Sequence, residues 1–268
     1  MKPVFLIRNI TAQLLFLLDR GIGRYQKSSI VLCYHSFAQN SGRYGVQLTA
    51  FEKQIKKMLI HAKFVGLDQI INPKSRSGSV KSAQIMVTID DGFESVLKIL
   101  PITKKYNIPI LLFVLENPDK ANRQEIDSQE KFLTWDQIKY LHQHGWTIGC
   151  HSSTHPSFSA LDKKSMKREI ISAKISLEQK LGFPITTFAY PKGFYNSQIE
   201  EAVKQAGYKY AFSIESGFVN SSSQKLKLPR TIIDSSHRLH EIPAILTPSW
   251  ILARRLTNRF HLWERFMS

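Results

Sequence analysis

Apolar residues along this chain fall into short runs separated by stretches with helical spacing. Residues 29–34, Ser-Ile-Val-Leu-Cys-Tyr, are a near-continuous apolar run of strand length, which predicts a buried strand. Similar runs at 84–89, 108–115, 146–149, 187–190, 208–214 and 226–233 predict further strands. Between them the period changes. Thr49-Ala-Phe-Glu52 has the capping-box pattern, and Phe51, Ile55, Met58 and Leu59 continue it at helical spacing. Helices are also expected at 93–106, from Thr134 to about 144, from Asp162 to Leu181, and at 197–206. The stretch 72–82, rich in Ser, Lys, Pro and Gly, reads as a loop, and the polar stretch 116–131 as an excursion over the surface. Strands alternating with helices predict parallel β-α units. Some seven units make either a doubly wound sheet or a barrel, and periodicity does not choose between them.

Three polar clusters share one position in this pattern. Asp90-Asp91-Gly92 follows the strand ending at Ile89, His151-Ser-Ser-Thr-His155-Pro156 the strand ending near Gly149, and Tyr190-Pro191-Lys192-Gly193 the strand at 187–189. The carboxyl ends of parallel strands are where α/β folds build active sites. Adjacent carboxylates repel unless a cation intervenes, and neighbours on an extended backbone point apart. One aspartate can therefore bind a metal while the other faces a water. Two histidines four residues apart can share an ion, and with one aspartate they form a set that leaves positions open for water and substrate. In the third cluster, Pro191 fixes φ and Gly193 permits close backbone approach, as in a wall offering a backbone N–H to a developing oxyanion. Each cluster alone also suits a plain turn; their convergence argues for a site.

Charge is the unusual bulk property. The 268 residues hold 37 Lys+Arg against 21 Asp+Glu, a net +16, which attracts polyanions. No zinc finger, RNP-like aromatic pattern or P-loop favours nucleic acid, so none is expected as a partner. Cys33 and Cys150 lie in apolar strand-like runs and read as buried small hydrophobes rather than a disulfide framework. The run from Val4 to Leu18 contains Arg8, is short of the roughly 20 apolar residues of a spanning helix, and precedes no small-residue cleavage pattern. It suits a helix on an anionic membrane surface, or equally one packed on its own domain. Residues 249–268 mix Arg254, Arg255, Arg259 and Arg265 with Trp250, Leu252, Phe260 and Trp263 in the same manner. The expected organisation is an amphipathic N-terminal segment at 1–27, a catalytic domain at 28–246 and a basic amphipathic C-terminal helix at 247–268.

The motifs Thr88-Ile89-Asp90-Asp91-Gly92, His151-Ser152-x-x-His155-Pro156 and Phe188-Ala189-Tyr190-Pro191-x-Gly193 together resemble the polysaccharide deacetylases, carbohydrate esterase family four. The resemblance runs from about Ile30 to Asp234. With Tyr34-His35 and Leu228-Pro229-Arg230 on its flanks, it is closest in style to the branch that de-N-acetylates poly-N-acetylglucosamine. It implies a distorted (β/α) barrel of about seven parallel strands and a metal-assisted hydrolysis of acetyl groups. It also implies Asp90 as base, one divalent ion, usually zinc, on Asp91, His151 and His155, and the backbone N–H of Lys192 as oxyanion donor. Tyr190, Pro191, Gly193 and Arg230 are expected to line the substrate. Many family members carry Arg where this chain has Ala189; Arg230 is then the candidate to orient the base. Lys192 replaces the usual aromatic, and the general acid is expected at His240 or His35. The expected substrate is an N-acetylated glycan of a bacterial cell envelope, met at the periphery of the inner membrane. An O-acetyl esterase or deformylase on the same site, and an inactive glycan- or membrane-binding module, remain open.

Overall fold

The computed structural model describes residues 3–21, 29–38, 42–71, 83–122, 126, 130–158, 161–220 and 222–259. The expected loop at 72–82 and the last residues of the C-terminal helix lie outside them. The strands are β1 (Ser29–Tyr34), β2 (Ala62–Phe64), β3 (Ala83–Ile89), β4 (Ile110–Val114), β5 (Thr147–Cys150), β6 (Thr187–Ala189), β7 (Tyr210–Phe212) and β8 (Thr231–Ile232). All their pairings are parallel, in the order β7-β6-β5-β4-β3-β1-β8, with β2 alongside the first half of β3. The ends approach each other through one segment. Leu228 bridges Phe212 of β7, and three residues later Thr231 pairs with Leu32 of β1. The expected strand at 226–233 is thus a short link shared between two edges, and the sheet is a distorted barrel.

Alternation along each strand sorts side chains into two layers. Val31, Met86, Leu111, Phe113, Ala189, Phe212 and Leu228 fill the barrel interior. Ile30, Leu32, Tyr34, Ile85, Val87, Ile89, Leu112 and Phe188 point outward under the helices. Those helices are α2 (Leu48–Leu59), α4 (Leu100–Lys105), α5 (Trp135–Gln143) and α7 (Ser197–Gln205), whereas α3 (Leu67–Ile71) packs Leu67, Ile70 and Ile71 against the interior cluster. Between α5 and α7, α6 runs in three pieces: Lys163–Lys167, a π turn at Arg168–Ser172, and Ala173–Leu181. Both cysteines are buried and free.

Local chemistry sets the helix ends, with two departures from expectation. Thr134 and Gln137 form the reciprocal capping box, and Asp162 caps α6 through Ser165 N at 2.7 Å. Thr49, however, lies inside α2, which starts at Leu48 with Gln47 before it and no side-chain cap. Glu52 turns to Tyr106 and Lys105 instead, at 2.8 and 3.1 Å. The expected helix at 93–106 is a 3-10 stretch, Glu94–Ile99, followed by α4, because Pro101 cannot donate a helical hydrogen bond there. The 116–131 excursion is not wholly on the surface, since Ile126 is buried against Phe93 and Leu115.

The described parts of both terminal segments are helical. α1 (Pro3–Gly21) lies beside α8 (Ile242–Ile245) and α9 (Pro248–Arg259). Leu15 and Phe16 face the core, and Trp250 and Ile251 are buried in it. Asp19, fully buried, accepts from Ser249 N at 2.8 Å and Ser249 Oγ at 2.9 Å, satisfying a first-turn amide of α9. Ile10, Leu14, Leu17 and Leu18 remain exposed on α1. Replacing Asp19 by Ala should cost about 0.5–2 kcal/mol, as removal of a helix cap does. Urea unfolding measures it; an unchanged midpoint would mean that α1 is not held through this contact.

Candidate active site

The inward positions of β3 continue past the strand. Met86, Thr88 and Asp90 share one parity, and Asp90 N still donates to Tyr34 O at 2.9 Å, extending the ladder with β1. The chain then turns through left-handed Asp91 (φ 70) and Gly92 (φ 76). The two carboxylates therefore diverge: Asp90 points into the barrel, Asp91 toward the loop after β5.

Inside the barrel Asp90 meets Arg230. Arg230 Nη1 donates to Asp90 Oδ1 at 2.6 Å and Nη2 to Oδ2 at 2.8 Å, a bidentate pair. Its Nε donates to Ser213 O at 2.9 Å, and its guanidinium lies over the rings of Phe113 and Phe212. Ala189, fully buried on the inward face of β6, leaves this space open. Burial alone would raise the Asp90 carboxyl, but Arg230 holds it well below the usual carboxylate range. Asp90 is thus a fixed anion. Arg230 has no exposed surface: it reaches Asp90 from inside the barrel and not from a substrate surface as expected.

His151 extends the β4–β5 ladder, donating its N–H to Val114 O at 2.9 Å. Its Nδ1 lies 2.8 Å from Ala189 O. A carbonyl only accepts, so Nδ1 carries the proton and Nε2 is bare in the neutral ring. That bare nitrogen stands 3.5 Å from Asp91 Oδ1, and His155 Nε2 stands 3.8 Å from the same oxygen. Burial pushes both histidines below their ordinary pKa, so both rings are neutral. A bare imidazole nitrogen facing a carboxylate oxygen is repulsive unless a cation lies between them. This donor set fits a divalent ion, and its ligand atoms all lie within 4.8 Å of one another.

Cys33, His35 and Asp90 form a second close trio, also within 4.8 Å. It does not fit an ion. The Arg230 cation already faces both Asp90 oxygens, and burial raises the Cys33 thiol well above its usual pKa, so it stays protonated and donates to Asp90 Oδ2 at 3.4 Å. His35 stacks on Tyr44, and burial brings its pKa down to about 4. His240 is exposed in the segment between β8 and α8.

The third motif shapes the site from behind. Tyr190 is fully buried, its hydroxyl donating to Leu226 O at 2.9 Å, and Pro191 is buried. Gly193 has φ +68, and a Cβ there would lie 2.2 Å from Ile214 Cγ1, so it is needed for packing against Ile214. The Tyr190 and Pro191 side chains expected to line the substrate are thus buried, as is Gly193. Lys192 is exposed between them with left-handed backbone (φ 54). Residues 42–44 and Asp234 escaped the sequence reading. Arg43 Nε donates to Asp234 Oδ2 at 3.1 Å, beside the Tyr44 that stacks on His35. The available signal was position, since Asp234 stands just past β8 at the carboxyl edge.

The sequence model of the polysaccharide deacetylase family matches residues 77–211, half of the chain, including all three motifs. The chain belongs to the polysaccharide deacetylase family. Among curated proteins, a poly-β-1,6-N-acetyl-D-glucosamine N-deacetylase of Staphylococcus aureus is 26% identical over 223 residues, covering 78% of this chain and 74% of that protein. Among solved structures, the Streptococcus pyogenes deacetylase PplD superposes with TM-score 0.68 at 21% identity, covering 82% of this chain and 99% of that one. IcaB from Ammonifex degensii does so with TM-score 0.68 at 21% identity, over 84% and 97%. These similarities establish the barrel. In this deacetylase, Arg230→Ala would leave the buried Asp90 unpaired and should cost about 3–5 kcal/mol in denaturant unfolding. A cost below about 1 kcal/mol, the worth of a surface pair, would contradict the buried geometry.

Proposed function

We propose that the protein is a metal-dependent N-deacetylase acting on an N-acetylated amino sugar of an envelope polysaccharide or lipid-linked glycan, with zinc as its ion. The observation that carries this is the convergence of the bare His151 Nε2 and of His155 Nε2 on Asp91 Oδ1, beside an Asp90 fixed by Arg230. The staphylococcal relative supports the substrate class.

Asp91, His151 and His155 would hold the ion, which supplies Lewis-acid charge to the acetyl carbonyl and the attacking water. Asp90 accepts a proton from that water, and its bidentate partner keeps the accepting carboxylate aimed. The backbone N–H of Lys192 is the proposed donor to the oxyanion that forms on the acetyl carbon. The C–N bond then breaks, acetate leaves, and the amine takes a proton. His35 stands at this strand edge with Asp90, but its lowered pKa keeps it a neutral ring, so the proton that Asp90 took from the water is the one returned to the amine; His240 lies exposed between β8 and α8.

We place this work at the periphery of the inner membrane of a bacterial envelope. No helix among the described residues is long and apolar enough to cross a membrane. The exposed Ile10, Leu14, Leu17 and Leu18 recur at helical spacing on α1, and the chain carries +16, which suits an anionic surface.

Acetate release from N-acetylated glycans, with metal analysis, tests the chemistry. Asp90→Asn should retain one zinc per chain and lose about 10²–10⁴-fold in rate, the usual worth of a general base. His155→Ala and Asp91→Asn should lose the metal. The reverse pattern for the two aspartates would exchange their roles, and full occupancy in His155→Ala would sink the site. Sedimentation with phosphatidylglycerol vesicles tests the location. Binding at low salt and release at high salt is expected; no binding at low salt would remove the membrane assignment.

A further inference from the structure

The loop that carries both histidines is strained. Ser152 (φ 72) and His155 (φ 54) hold left-handed conformations that residues other than glycine rarely adopt. Such a conformation is unfavourable and persists only where surrounding contacts over-determine it. Two backbone donors inside the loop, one buried and one partly buried, are received by one side chain. Glu169 Oε2 accepts from Ser153 N at 3.0 Å and Thr154 N at 2.8 Å, and its Oε1 from Thr154 Oγ1 at 3.0 Å.

Glu169 is 1% exposed, on the inward face of α6 beside Met166, Ile170 and Ala173. A carboxylate there is expensive unless hydrogen-bonded. The helix is also distorted at this point. Glu169 lies in the π turn Arg168–Ser172, where Ala173 N–H reaches back to Arg168 O. Tyr208 Oη donates to the Ile170 carbonyl inside that turn at 3.2 Å. Single π turns within α-helices recur at functional sites. Downstream, α6 grips the same loop a second time. Glu116 accepts from Ser153 Oγ at 2.8 Å, and from Ser176 Oγ and Lys180 Nζ of α6, each at 2.6 Å.

Resting on the metal-site reading above, we infer that Glu169 is a positioning residue: from its π turn it presets the Ser152–His155 loop so that His151 and His155 converge on Asp91. Glu169 touches neither substrate nor ion. It acts by holding the backbone between the two ligands, so that the ion does not have to impose this strained arrangement itself.

Zinc affinity, measured by competition with a fluorescent chelator, tests this in the full chain. Glu169→Ala should bind zinc about 10–100-fold more weakly, the usual cost of losing an outer-shell partner. Glu169→Gln keeps acceptor oxygen within reach of both amides and should recover most of that affinity. Glu169→Asp is one methylene short and should weaken zinc binding even if the alanine variant fails to fold. The stabilisation that zinc adds to thermal unfolding should shrink in the same order. Variants that lose thermal stability but bind zinc as tightly as the parent would overturn the inference, leaving Glu169 a plain structural residue. A parent chain that binds no zinc would instead fail the metal-site reading, a separate result.

Discussion

The ion pair between Arg230 and Asp90 is the constraint around which the site is arranged. Both groups lie inside a barrel otherwise lined by Val31, Met86, Phe113 and Phe212. A buried pair of this kind contributes little net stability compared with apolar residues of similar volume, because desolvation consumes most of its attraction. Its contribution is orientation. Two parallel hydrogen bonds fix the plane of the carboxylate, Ser213 O and two aromatic faces fix the guanidinium, and β1 fixes the backbone of Asp90. With Asp90 committed inward, the turn at Gly92 sends Asp91 to the histidines. One motif thus sends its two carboxylates to different neighbours, Asp90 to Arg230 and Asp91 to the histidines.

Strain is concentrated on the same edge. Among the described residues, five other than glycine have positive φ, and four of them are Asp91, Ser152, His155 and Lys192. The exception, Asn107, lies in the turn after α4. The barrel therefore stores unfavourable backbone where it presents chemistry, and the surrounding hydrogen bonds keep it there. Those bonds come from the sheet for Asp90 and His151, and from α6 for the loop between the histidines. In this arrangement protein contacts alone hold the loop between His151 and His155.

Much of this was legible in the sequence because it rests on local pattern. β1 occupies the segment expected, and the Thr134 and Asp162 caps act where their spacing placed them. The three motifs were found at strand ends, and strand ends form one rim in any parallel barrel. Illegible features depended on tertiary packing. Nothing local distinguishes Thr49, inside a helix, from Thr134, capping one; the chain before α2 decides it. Tyr190, Pro191 and Gly193 read as a substrate wall, yet their burial is set by Leu226 and Ile214, which are distant in sequence. Glu169 gave one hint, a carboxylate beside an apolar stripe on α6. The donors it serves, some fifteen residues earlier, could not be paired with it before the fold was known.

A double-mutant cycle on acetate release tests most directly whether Arg230 works through Asp90. Arg230→Lys keeps a cation but removes the bidentate fork. If aiming the base is its role, adding Arg230→Lys to Asp90→Asn should lower the rate little further, since no carboxylate remains to be aimed. If the two losses multiply, Arg230 acts elsewhere, and the central claim that this pair organises the site is contradicted.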